Sequence, residues 1–138
     1  MNLEQLSAEY GYKFAYKVKE ILGKKAEAFL TKALGVLQEQ GLYAYVLFCK
    51  SRGDKENQGA NKIIIELTRE LFKEKLKIIG DGDLLEEIRK ENGLTSNLEN
   101  LVLAIQILEK TLIYARYHAK AEEEIQQTDP TDQKVVGV

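Results

Sequence analysis

The chain has 138 residues, 44% hydrophobic and 30% charged, with a net charge of −2. That length suits one domain with a core of its own, and no run of about 18 apolar residues exists to make a membrane-spanning helix. Cys49 is the single cysteine, which excludes an internal disulfide, and the N-terminus MNLEQLSAEYGYKF has no basic stretch followed by an apolar one, so a reducing cytoplasm is the expected compartment.

The first helix starts at an Asn2–Gln5 capping box. Leu3, Leu6, Tyr10, Phe14, Val18 and Ile21 give it an apolar stripe as far as Gly23, with Gly11 inside the stripe as a local weakness. A second helix is predicted over Lys24 to Gln40, with Ala26, Phe29, Leu30, Ala33, Leu34 and Leu37 on its core face. Gly41 followed by Leu42 is a left-handed stop with its hydrophobic follower. LYAYVLFCK is apolar nearly all round. Leu42, Tyr45, Val46 and Cys49 fit helical spacing, so it reads as a short buried helix.

Arg52 to Ala60 is polar, holds two glycines and reads as the longest internal loop. A fourth helix is expected from Asn61 to Ile79, ended by Gly80. Asp83 with Glu86 caps a short fifth helix, Leu84 to about Glu91, closed by Asn92-Gly93. The last helix is the longest. Ser96 and Glu99 make its capping box, and Leu98, Leu101, Ile105, Leu108, Leu112, Ala115 and Ala119 recur at steps of three and four. Val102, Leu103, Ile107 and Ile113 make it apolar on more than one face. Residues 1–125 are therefore expected to form one all-α bundle of about six helices, and residues 126–138, which hold the only proline, a disordered tail.

Little in this sequence suggests catalysis. His118 and Cys49 are each alone, no zinc spacing occurs, and Asp81 and Asp83 are explained by a turn and a helix cap. No catalytic residue, metal, cofactor, small-molecule substrate or membrane partner is expected. Charge is uneven: residues 1–62 hold 10 Lys+Arg against 7 Asp+Glu (+3), and residues 63–138 hold 10 against 15 (−5). Lys13, Lys17, Lys24 and Lys25 accompany Tyr12 and Tyr16 on and after the first helix. Lys50, Arg52, Lys55 and Lys62 surround the expected loop, and Arg116 lies on the last helix. Cations of this kind meet phosphates, and the tyrosines can stack on bases. Leu103, Ile107, Tyr114 and Tyr117 fall off the core seam at helical spacing and are the expected protein interface.

The segment EQGLYAYVLFCKSR, a variable loop and a long helix containing LEKTLIYARYHAKAE resemble a known pattern. Over roughly residues 8–125 the chain resembles the small, all-helical subunit of the type III-B CRISPR effector, the Cmr complex. The matching features are the Gln40-Gly41-Leu42 turn, the apolar helix closing on Phe48 and Lys50, and the long helix from Leu98 to Glu122. A departure is that the family often has Leu-Pro before its Gly-Leu turn, whereas this chain reads Ala33-Leu34-Gly35-Val36. The resemblance implies a non-catalytic subunit that stacks with copies of itself and with other effector subunits into a minor filament. Its basic residues would contact target RNA paired to the guide, in antiviral defence. The equivalent type III-A subunit and a helical adaptor that binds only protein are the alternatives.

Overall fold

The computed structural model describes residues 2–51 and 55–127, which fold into α-helices with no strand among them. These are α1 (Leu3–Leu22), α2 (Ala26–Gln40), α3 (Leu42–Ser51), α4 (Lys55–Glu70), α5 (Leu84–Arg89) and the long α6 (Leu98–Gln127). The Asn2 carboxamide accepts from the Gln5 N–H at 2.7 Å and the Gln5 side chain accepts from the Asn2 N–H, so the first capping box forms as read. Gly23 ends α1 at φ 56°, a conformation that favours glycine. The predicted stripes of α2 and α3 are buried at every position. Gly35 lies inside an unbroken α2.

The centre of the bundle is the seam between α1 and α6. The two helices run in the same direction: Glu4 reaches Lys110 and Tyr114, Gly11 lies against Thr111, Tyr114 and Ala115, and Tyr12 meets His118. A Cβ on Gly11 would sit 2.6 Å from Tyr114 Cβ, closer than any two carbons can rest. The glycine that weakens an isolated helix is what lets these two backbones approach. α4 covers the other side of α1 in the opposite sense, with Tyr10 donating to Glu70 at 2.8 Å and Gly59 beside Ile21.

Four expectations need correction. The polar stretch from Lys55 onward is helical, so α4 begins before Asn61. Of its described side chains Gln58 is exposed, Gly59 is a packing contact against Ile21 and Ala60 is buried. The helix also stops before Gly80. It widens into a π turn at Leu71–Lys75, where Leu76 N–H donates to Leu71 C=O, and closes with Lys77 at φ 56°. Leu71 and Phe72, adjacent in sequence, are both fully buried there. Third, α6 is capped one residue later than read: Asn97 Oδ1 accepts from the Asn100 N–H at 3.1 Å, while Ser96 Oγ donates back to Gly93 C=O. Fourth, the buried side of α6 is Ala104, Ile107, Leu108, Thr111, Leu112, Ala115 and Ala119. Leu98 is 74% exposed, and Leu101 and Ile105 are half-buried. At the other end α6 continues through Gln127, past the expected boundary at 125. The remainder of the expected tail lies outside the described residues.

Candidate nucleic-acid interface

The chain reverses between α1 and α2 through a 3-10 turn, Gly23–Lys25, made possible by the positive φ of Gly23. The turn leaves Lys24 and Lys25 exposed. Two helical turns later on the same side of α2 comes Lys32, whose Nζ lies 5.7 Å from the centre of the Phe48 ring. Lys25, Phe29 and Lys32 line a groove of about 230 Å³ with Phe48 of α3 and Asn57 of α4. Phe48 is half-buried, so one side of its ring packs inward. This is a shallow cleft with an aromatic floor and two cations on its walls, and Lys24 stands one residue away. Such a set can hold a phosphate while a base packs against the ring.

The other predicted basic residues go elsewhere. Lys13 and Lys17 line a separate groove between α1 and α4, together with Glu66 and Glu70. Lys13 also pairs with Glu9 at 3.7 Å and sits over the Tyr10 ring. Burial, then the neighbouring Glu70 carboxylate, hold the Tyr10 hydroxyl well above the usual phenol range, so it stays a donor to Glu70. The carboxylates offset the cations, and that groove is not a positive surface. Lys50 is tied to Asp83 at 2.6 Å, and Asp83 caps α5 through the Glu86 N–H. Its first duty is to fasten α5 to α3. Arg116 lies over the ring of its neighbour Tyr117. Arg52 and the side chain of Lys55 lie outside the described residues.

The predicted protein interface does not survive as one stripe. Ile107 is 4% exposed and belongs to the core. Tyr114 is half-buried, packs on Gly11 and donates to Glu4. Leu103 is half-buried against the core, and only Tyr117 is fully open. α1 covers the side of α6 on which Tyr114 projects, and Ile107 is enclosed in the core. Among the described residues, the large aliphatic side chains that face water on α6 are Leu98 and Val102 in its first turns. A second exposed group is aromatic: Tyr12 stacks on Tyr16 at 6.1 Å and meets the His118 ring edge-on at 5.7 Å.

Sequence reasoning passed over Lys32. Its signal was available: Lys25 and Lys32 are seven apart, which places them on one side of a helix whose core stripe had been identified. The partner ring of Phe48 comes from another helix and could be found only by folding the chain. Among the described residues no three His, Cys, Asp or Glu side chains converge as a metal would require, and no helix is long and apolar enough to cross a membrane. No family model matches the chain, and no curated protein or solved structure matches it significantly.

Proposed function

We propose that this chain is a non-catalytic, RNA-binding helical subunit of an RNA-guided effector assembly of the type III-B kind. In this reading it stacks with copies of itself and with other effector subunits in the cytoplasm and holds target RNA along the guide. The observation that carries the RNA-binding part is the cleft formed by Lys25, Lys32 and Phe48, with Lys24 beside it. It joins the elements on which the resemblance rests, because Phe48 closes the apolar helix after the Gln40-Gly41-Leu42 turn.

The test is binding of a labelled single-stranded RNA by the full chain across a salt titration. Binding should be weak and should fall with salt. Reversing Lys25 and Lys32 to Glu should weaken it and reduce the salt slope by roughly 1.4, about 0.7 for each lost phosphate contact on a single strand. An unchanged slope refutes the assignment. A protein-only adaptor is the second reading, favoured by the exposure of Leu98 and Val102. It expects the double reversal to leave every association of the chain intact.

A further inference from the structure

The cleft of Lys25 and Lys32 differs from the groove of Lys13 and Lys17 in its charge and in its floor. Among the described residues that line the cleft there is no carboxylate, whereas the other groove holds Glu66 and Glu70. Lys25, Ala28, Phe29 and Lys32 share one side of the chain as α2 begins. At a rise of 1.5 Å per residue the two lysines stand roughly 10 Å apart along it. Ala28 lies between them and is exposed, so the wall is low at that point. Below it Phe29 is buried and Phe48 half-buried. Lys32 Nζ is 5.7 Å from the centre of the Phe48 ring, beyond the ~4 Å at which two atoms touch.

We infer that the cleft selects unpaired RNA: one base of a single strand stacks on Phe48, while a base-paired strand meets the lysines alone. The inference rests on the RNA-binding reading and names the state of the strand that this site takes. In a duplex each base is covered on both faces by its neighbours, and side chains meet phosphates and 2′-hydroxyls instead. In a single strand a base can turn out and lie on an aromatic ring, between phosphates within reach of Lys25 and Lys32. The Lys32 ammonium gives way to it. An exposed cation over a ring contributes less than a stacked base does, and the lysine exchanges the ring for the phosphate of the incoming nucleotide. Every base has a π-face, so the cleft has no base preference. Ala28 is the residue that admits the base, because a longer side chain there would lie across the opening between the lysines.

The test uses three twelve-nucleotide RNAs at low salt: a strand of mixed sequence with no self-complementarity, the same strand paired to its complement, and an abasic strand of equal length. Each is titrated with the full chain and with Phe48→Leu and Ala28→Leu. Circular dichroism checks that Phe48→Leu stays helical; Ala28 is exposed, so Ala28→Leu decides the matter if it does not. The native chain should bind the single strand roughly five- to tenfold more tightly than the abasic one, the lower part of what one stacked base contributes. Both variants should bind the single strand no better than the abasic one. Their affinity for the duplex should stay within about twofold of native, since the phosphate contacts are untouched. Equal binding of the abasic and intact strands by the native chain overturns the inference and leaves the RNA reading standing. So does a loss in Ala28→Leu that is the same for duplex and single strand, or no loss in either variant. If none of the three RNAs binds, the RNA reading fails and the inference fails with it.

Discussion

The α1–α6 seam and the corner that joins α4 to α5 are held by different physics. The seam is apolar and close. Leu108, Leu112 and Ala115 of α6 are fully buried, and Gly11 removes the side chain that would keep the helices apart. The corner is polar. Glu87, only 5% exposed, accepts from the Gly80 N–H at 2.7 Å and the Gly82 N–H at 3.2 Å and pairs with Lys90 at 2.9 Å. Arg69 donates to the carbonyls of Asp81 and Gly82, and Lys73 pairs with Asp81 at 2.6 Å. A Cβ on Gly82 would sit 2.6 Å from the Glu87 carboxylate, so the loop approaches that closely because it has no side chain there. One region depends on shape and the other on charge, and each should fail under its own kind of insult.

The largest effect should come from the seam. Leu108→Ala removes a fully buried side chain from its middle and should cost ~2–5 kcal/mol in urea or thermal unfolding, the range for a core leucine. Gly11→Ala comes next. In an open helix this change stabilises by up to ~1 kcal/mol, but here the new methyl meets Tyr114 Cβ, an atom fixed to its own backbone. The clash should win, with a net loss of ~1–3 kcal/mol as for other overpacked sites. A rise in melting temperature would show that α6 can slide away from α1 and that the seam is looser than the structure indicates.

At the corner, Glu87→Gln keeps shape and removes charge. It should cost ~1 kcal/mol, since the acceptor oxygen can keep only part of what the carboxylate held. Faster amide exchange at Gly80 and Gly82, with the seam unaffected, is the localised signature. The same contrast should appear with pH. Lys90, then the Gly80 N–H, hold the Glu87 carboxyl below its usual value, and Lys50 does the same for Asp83 and Lys73 for Asp81. Groups lowered in the folded state stabilise fully above their unfolded values, about 4, and lose that contribution as pH falls through the folded ones. Exchange at the corner should therefore accelerate below about pH 4; at the seam, among the described residues, only the exposed Glu4, held low by Lys110 and then Tyr114, loses the same kind of contribution, so the buried part of the seam should open later. Simultaneous opening of both would contradict the separation.

What the sequence made legible follows the same division. Apolar periodicity identified the core of α2 residue by residue, because that helix presents one side to the bundle and the other to water, and helical spacing alone picked out the buried residues of the nearly all-apolar α3. It fails on α6, where several sides are apolar and the spacing alone cannot say which side the bundle covers; Ile107, off the seam by spacing, lies inside. Capping chemistry fixed the starts of α1 and α5. It could not foresee the π turn at Leu71–Lys75, which arises where two adjacent residues both enter the core. Of the candidate interface, Lys24 and Lys25 were readable as exposed cations. Lys32 over Phe48 depends on a contact between helices distant in sequence.

The smallest effect separates the two ends of α6 and tests that ambiguity directly. Leu98 and Leu108 both lie on the apparent sequence stripe, so periodicity ranks them alike. In the fold Leu98 opens the helix beside its Asn97 cap and stands in water, whereas Leu108 is enclosed. Leu98→Ala removes little buried area, and alanine is at least as good a helix former as leucine. The change should alter stability by less than about 0.5 kcal/mol, as for surface positions generally. A loss comparable to that of Leu108→Ala would mean that Leu98 is covered in the free chain. A loss that grows with protein concentration would mean it is covered by a second copy, which would make the start of α6, rather than its Tyr114 side, the contact used in stacking.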